Sequence, residues 1–200
     1  MSNLATLSSQ LARRELSARD ALALSIARIG ATDARVNAFT DCCLDRAMRE
    51  ADAVDAARAR GEALGPLAGV PYAVKNLFDI QGVTTRAGSR INRGLPPAGA
   101  DAVLVQHLRA AGALLVGALT MDESAYGFTT ENSHDGPCHN PHDLTRVAGG
   151  SSGGSGAAVA AGSEGVTVGA VTNGSKRGAS PFWGLVGNRV TLRPFVACGA

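Results

Sequence analysis

The stretch GGSSGGSG, Gly149 to Gly156, places three serines among glycines in the middle of the chain. Glycine lets the backbone adopt conformations that other residues avoid, at an entropic cost on folding. A flexible linker is one interpretation, but an apolar run typical of a helix, AAVAAG, follows directly. A glycine-rich turn that leads into a helix can point backbone N–H groups at an anion or a polarised oxygen. Because the lysine of a Walker phosphate loop is missing, the serines become the candidates for chemistry.

Size and charge limit the classes of protein to consider. The 200 residues are typical of one domain, and with 45% hydrophobic and 18% charged residues the chain is predicted to fold around a core. The net charge is +2, and the arginines are scattered rather than gathered with aromatic residues. We therefore expect no nucleic-acid partner.

The spacing of the cysteines and the N-terminal segment indicate in which cellular compartment the protein is expected. The cysteines Cys42, Cys43, Cys138 and Cys198 form no CxxC pair, and the segment MSNLATLSSQLARRE carries charge where a signal peptide needs an apolar centre. No apolar run reaches the roughly 18 residues of a membrane span. A reducing cytoplasm and no membrane association are the expectation.

Helical and strand patterns predict a single domain over residues 1–200. Residues 1–61 are predicted to form a helical lead-in, with one helix that begins at the cap Ser17-x-x-Asp20 and another that ends at Gly61. Residues 62–200 are predicted to be an α/β core, because short buried strands alternate with helices. The strand VPYAV is expected to end at Lys75, and ALLVGA and GVTVGAV are predicted as further strands.

Three residues, Lys75, Ser151 and Ser175, could act together. A serine is a poor nucleophile until a base takes its proton. A lysine can be that base only when neutral, which requires burial to lower its pKa by roughly 3 units from about 10.4. Taken singly, Lys75 could be an ordinary surface lysine, and Ser175 could be a turn residue after Asn173-Gly174.

Four segments together resemble the amidase signature family. They are GPLAGVPYAVKN, GALTMDESAYGFTTEN, NPHDLTRVAGGSSGGSGAAVAAG and TNGSKR, in the family's order. The resemblance implies the N-terminal part of an α/β fold with a mixed sheet flanked by helices. It also implies that Lys75 is the base, that Ser151, after a cis peptide bond, bridges the proton transfer, and that Ser175, which follows Ser151 by 24 residues, is the nucleophile.

The resemblance implies hydrolysis of a small amide or urea-like C–N bond with no metal or organic cofactor. The oxyanion would be held by backbone N–H groups of Thr172, Asn173, Gly174 and Ser175. The further candidates have other roles: Tyr126 and Thr130 line the substrate site or serve as a core aromatic and a capping threonine, while Ser152, Ser155 and Arg177 support the loops.

Departures from the family pattern keep other functions open. The family usually has a hydroxyl residue and an acid before the nucleophile turn, where this chain has Ala170 and Val171, and Lys176 replaces an apolar residue. Family members are also roughly twice as long. A truncated or decayed chain that binds without catalysis is therefore one alternative, and a glutaminase subunit of an amidotransferase is another. A small partner subunit or a homo-oligomer is expected with either enzyme.

A metal site is the remaining alternative. A polar stretch supplies suitable ligand atoms from six residues: His134, Asp135, Cys138, His139, His142 and Asp143. Their spacing matches no zinc motif, so no metal is expected.

Overall fold

A four-stranded mixed sheet organises the chain. The structure, a computed structural model, describes residues 4–163 and 165–169. The strands of this sheet are β1 (Phe39–Cys42), β2 (Pro71–Lys75), β3 (Leu114–Leu119) and β8 (Val166–Val168). Four short strands form two separate two-stranded sheets: β4 (Glu131–Asn132), β5 (Gly136–Pro137), β6 (His139–Asn140) and β7 (Asp143–Val147).

Five helices are described around the sheet. They are α1 (Leu4–Ala12), α2 (Ala18–Val36), α3 (Leu44–Ala59), α4 (Val103–Ala110) and α5 (Gly153–Ala160). The predicted cap of α2 is confirmed, because the Ser17 hydroxyl accepts from the backbone N–H of Asp20 and the Asp20 carboxylate accepts from the backbone N–H of Ser17. Helix α3 ends at Ala59, close to the predicted stop at Gly61.

The sheet confirms the predicted α/β class with mixed strand directions. The order is β1-β3-β2-β8, with β2 parallel to both β3 and β8 and β1 antiparallel to β3. Every residue of β2 and β3 is buried. These central strands read as continuous apolar runs because helices or other chain segments cover both faces of the sheet.

The helical lead-in predicted for residues 1–61 needs one correction. Strand β1 lies inside it and pairs with β3, so this part of the chain contributes an edge of the core sheet. Four residues with mixed polarity do not show a clear strand pattern, and only the pairing with a distant segment stabilises them as one. The sequence patterns also missed β4 to β7, because strands of two to five residues are too short to show a clear alternation of apolar and polar residues.

Helix α5 begins inside the glycine–serine stretch, four residues before the predicted run AAVAAG. A Cβ at Gly154 would stand 2.6 Å from the Thr120 carbonyl oxygen and 2.7 Å from that of Ala38. The helix therefore starts where glycine allows the backbone to lie directly against the end of β3.

Strand β8 is the last element described. It confirms part of the predicted strand GVTVGAV, whose last residues lie outside the described ranges. In residues 4–163 and 165–169, no helix is both long and apolar enough to cross a bilayer.

Candidate active site

Lys75 and Ser151 meet in the interior, although 76 residues separate them in the sequence. Lys75 is the last residue of β2 and has 0% exposure. Its Nζ donates a hydrogen bond of 2.9 Å to Ser151 Oγ, and Ser151 is also buried. Burial of a lysine opposes its charged form, which is the condition for a lysine to act as a base.

The chain contains only two lysines, Lys75 and Lys176, among its 19 basic residues. Arginine keeps its charge at any ordinary pH, whereas the pKa of a lysine shifts readily on burial. Lys75 is therefore one of two Lys/Arg side chains in the sequence whose pKa can shift readily on burial. The interpretation of Lys75 as a surface lysine is wrong, since the side chain is fully buried.

The segment Gly149–Gly153 is a buried loop, and we call it the serine loop. Gly149 has a φ of 76°, a backbone conformation that favours glycine. The cis peptide bond implied before Ser151 is present between Gly150 and Ser151. The linker interpretation of this stretch is therefore wrong, because the loop is packed into the core and continues into α5.

Thr130 holds the serine loop at both ends. Its hydroxyl donates to the Gly149 carbonyl oxygen at 2.8 Å and accepts from the Gly153 N–H at 3.1 Å. The residue is fully buried and has a φ of 56°. Of the two roles considered for Thr130, the geometry favours that of a capping threonine that supports the loop.

Asp122 is a buried residue at this site that the sequence patterns did not single out. Its N–H donates to the Ser151 carbonyl oxygen at 3.2 Å, and its Oδ1 accepts from the Thr130 N–H at 2.9 Å. Its Oδ2 is buried with no hydrogen-bond partner among the residues described. Burial raises the pKa of this carboxyl, against the opposing effects of the Thr130 hydrogen bond and the charge of Lys75. In the sequence, the feature that could have indicated Asp122 is its position three residues after the buried strand β3.

The other candidates in the described ranges occupy different settings. Tyr126 is 89% exposed, so it is not a core aromatic and stays a candidate for lining the substrate site. Ser152 and Ser155 are both buried. The Ser155 Oγ forms no hydrogen bond within the part of the chain that is described, so the expectation that it bonds the loop is wrong there. Its backbone carbonyl instead accepts from the Thr167 hydroxyl at 2.8 Å.

Several predicted site residues lie outside the described residues. They are the nucleophile Ser175, the oxyanion residues Thr172, Asn173 and Gly174, the supporting Arg177, and the departures Ala170, Val171 and Lys176. Their roles stay predictions.

Two residues of the polar stretch considered as a metal site, Asp135 and Cys138, have other structural roles. Asp135 accepts hydrogen bonds from Arg93 at 2.5 Å and from Arg86 at 3.4 Å. Cys138 is buried, and burial raises the pKa of its thiol. Within residues 4–163 and 165–169, no group of three or more His, Cys, Asp or Glu side chains is placed to hold a metal ion.

The geometry provides a proton path between two buried groups. A lysine amine within hydrogen-bond distance of a serine hydroxyl can exchange a proton with it. Such a serine can pass the proton on to a second group on its other side. The described part of the site is thus suited to general acid–base chemistry.

Comparisons with known proteins identify related chains. The family model described as Amidase matches residues 20–195. The chain is 60% identical over 195 residues to 1-carboxybiuret hydrolase subunit AtzE of Pseudomonas sp. (strain ADP). It is 51% identical over 182 residues to one subunit of the glutamyl-tRNA(Gln) amidotransferase of Anaeromyxobacter dehalogenans (strain 2CP-C). These alignments cover 93% and 90% of the chain.

A solved structure shares the fold. It is described as an unexpected vestigial protein complex that reveals the evolutionary origins of an s-triazine catabolic enzyme. The match has a TM-score of 0.80 and 64% sequence identity, and it covers 81% of this chain and 35% of that one. The chain likewise spans only 42% and 37% of the length of the two curated relatives.

Proposed function

Because this chain belongs to the amidase signature family, we propose that it carries the catalytic segment of an amidase that hydrolyses a small amide or urea-like C–N bond. The family model extends over residues 20–195. The relative at 60% identity is named as a hydrolase subunit that acts on 1-carboxybiuret. A small, urea-like substrate follows from that likeness.

In the proposed reaction Ser175 is the nucleophile. Its Oγ attacks the carbonyl carbon of the amide while its proton passes to Ser151, and Ser151 passes its own proton to neutral Lys75. The C–N bond then breaks, and the leaving nitrogen takes a proton from Ser151, which Lys75 replaces. Water attacks the resulting ester through the same path and releases Ser175.

The negative charge on the substrate oxygen needs its own donors. Backbone N–H groups of Thr172, Asn173, Gly174 and Ser175 are proposed for this role. Each such donor can contribute about 3 kcal/mol of transition-state stabilisation. No metal or organic cofactor is needed for these steps.

One observation carries the proposal: the hydrogen bond of 2.9 Å from Lys75 Nζ to Ser151 Oγ in the interior. A structural lysine would normally extend to solvent, whereas Lys75 has 0% exposure. A buried lysine bonded to a serine hydroxyl has the partner that a proton relay requires. The burial of Ser151 also excludes bulk water from the transfer.

The test is a covalent label for an activated serine. Purified chain is treated with a fluorophosphonate, and the intact mass is measured over time. We expect one adduct on the wild type, none on Ser175→Ala, and a rate at least about 100-fold lower for Lys75→Met, since general base catalysis contributes 10²–10⁴-fold. The partly exposed Ser8 on α1 provides the matched control, because Ser8→Ala should label like the wild type.

A folded wild-type chain that gains no adduct would contradict the proposal. It would favour the alternative of a binding module without catalysis. Circular dichroism of the same sample separates this result from a failure to fold.

Glutaminase activity is the second candidate function, favoured by 51% identity to the amidotransferase relative. We propose that a partner subunit would be required in that case, and a small partner subunit or a second copy of the chain remains a proposal for the hydrolase as well. Release of ammonia from glutamine would support the glutaminase. Labelling together with release of ammonia from biuret-type substrates only would support the hydrolase.

A further inference from the structure

Asp122 and Lys75 contact the same residue from two sides. The Asp122 N–H donates to the Ser151 carbonyl oxygen at 3.2 Å, and Lys75 Nζ donates to the Ser151 hydroxyl at 2.9 Å. All three residues are buried. The carboxylate of Asp122 therefore lies in the same interior site as the amine of Lys75.

The Asp122 carboxylate also lies against the glycines around it. A Cβ at Gly150 would stand 2.1 Å from Asp122 Oδ2, and a Cβ at Gly127 would stand 2.4 Å from its carboxyl carbon. No side chain could occupy either position while Asp122 stays in place. The glycine at position 150 is thus needed for the close approach of this carboxylate to the serine loop.

The two carboxylate oxygens have different surroundings. Oδ1 accepts from the Thr130 N–H, and Thr130 in turn holds both ends of the serine loop. Oδ2 has no hydrogen-bond partner within residues 4–163 and 165–169. A buried carboxylate oxygen with no donor carries a desolvation cost, which a positive charge nearby can offset.

We propose that Asp122 is a positioning residue of this site, which braces the serine loop through Thr130 and Ser151 and whose negative charge stabilises Lys75 once that lysine has taken a proton from Ser151. The role in catalysis rests on the proposed amidase function. The electrostatic coupling between Asp122 and Lys75 does not, and it can be measured in a chain without turnover.

Two charged side chains in the described part of the chain act electrostatically on the Asp122 carboxyl. Lys75 acts from the end of β2, and the exposed Glu131 acts from β4 with the opposite sign. The serine loop contains only glycine and serine, so it adds no charged side chain near Asp122. Removal of the Asp122 charge should therefore change the ionisation of Lys75 directly, with Glu131 as the nearby carboxylate for comparison.

The test uses the fact that the chain has two lysines. Labelling with lysine enriched in ¹³C at Cε gives one signal for Lys75 and one for Lys176, which Lys75→Met assigns. An opposite charge nearby favours the charged form of a lysine, and burial strengthens the effect. In Asp122→Asn, which keeps the acceptor for Thr130, we expect the titration midpoint of Lys75 to move at least about 1 unit to lower pH.

The comparison variants make the result specific. Glu131→Gln, which removes an exposed charge, should move the titration midpoint of Lys75 by less than half as much as Asp122→Asn does. An unchanged or higher midpoint for Lys75 in Asp122→Asn would overturn the proposal. If Asp122→Asn does not fold, Lys75→Met should raise the midpoint of the Asp122 carboxyl carbon, and an unmoved midpoint there would overturn it equally.

Labelling by the fluorophosphonate separates the two proposals. If the wild type labels, Asp122→Asn should shift the acidic limb of the labelling rate to lower pH, because Lys75 then loses its proton earlier. If the labelling rate of Asp122→Asn falls equally at every pH, with no shift of the acidic limb, Asp122 only braces the serine loop. That result would overturn the proposed role of its charge. If the wild type does not label but Lys75 shifts in the NMR titration, the proposed function fails and the coupling stands.

Discussion

At the scale of single residues, the Thr130 hydroxyl connects the polar loop after β3 to the serine loop. We predict that Thr130→Val lowers the free energy of unfolding by about 2–6 kcal/mol, because the buried Gly149 carbonyl and Gly153 N–H each lose a partner at about 1–3 kcal/mol. The site should lose labelling as well, since Ser151 lies between these two glycines. Urea unfolding and the labelling rate measure the two effects.

Thr130→Ser is the matched control for this change. It keeps the hydroxyl that bonds Gly149 and Gly153 and removes only a methyl group. It should retain most of the stability and the labelling of the wild type. Equal losses in the valine and serine variants would show that packing of the methyl group, and not the hydrogen bonds, holds the loop.

At the scale of elements, the start of α5 depends on its contact with the end of β3. Gly154 donates its N–H to the Thr120 carbonyl at 3.1 Å, and a Cβ there would stand 2.6 Å from that oxygen. Since the obstacle is backbone, Gly154→Ala must displace the helix or the strand end. We predict a loss of about 1–3 kcal/mol in the free energy of unfolding, measured by thermal and urea unfolding.

Gly30 in α2 provides the contrasting glycine. A Cβ at Gly30 would meet nothing within 4 Å. Gly30→Ala should therefore raise the free energy of unfolding by about 0.5–1 kcal/mol, because alanine is the better helix former. Destabilisation of similar size in both variants would contradict the close-approach explanation for Gly154.

At the scale of the whole molecule, the partly buried ion pair of Arg46 and Asp101 joins distant parts of the chain. Arg46 on α3 donates to both Asp101 carboxylate oxygens, at 2.7 and 2.8 Å, and Asp101 precedes α4. Burial opposes the ionised form of Asp101, but the hydrogen bonds from Arg46 and from the Gln81 N–H outweigh it and hold the pKa of this carboxyl below its ordinary value. A lowered pKa in the folded state adds stability above the unfolded pKa of about 3.9, and this stability is lost as the pH falls.

Asp101→Asn tests this dependence on pH. At neutral pH we predict a loss of about 1.5–3 kcal/mol in the free energy of unfolding, because Arg46 loses its charge-assisted hydrogen bonds to Asp101 and retains its bond to Glu50. Below about pH 4 the difference from the wild type should shrink, as the wild-type carboxyl also becomes protonated. Unfolding curves at several pH values measure both parts of the prediction.

The exposed pair of Arg19 and Asp52 is the control for a surface interaction. Their side chains are 51% and 55% exposed. Asp52→Asn should change the free energy of unfolding by less than about 1 kcal/mol at neutral pH, because water screens the pair. A constant difference between Asp101→Asn and the wild type across the pH range would contradict the role of ionisation.

Local patterns in the sequence were sufficient for the features that neighbouring residues control. The capping box of α2 depends on residues three apart, and β2 is an apolar run long enough for a buried strand. The motifs around Lys75 and Ser151 also predicted the family, which the match over residues 20–195 confirms. In each case the interaction that specifies the feature lies within a few residues of it.

Contacts between distant segments determine the features that local sequence patterns did not predict. Strand β1 exists because it pairs with β3, and Asp122 belongs to the site because β3 ends beside the serine loop. Neither pattern is specific on its own, since a short mixed strand and an aspartate shortly after a strand are common on protein surfaces. The burial of Lys75 is of the same kind: the sequence places it after an apolar run, but only the packing of the serine loop against β2 removes it from water and gives it Ser151 as a partner.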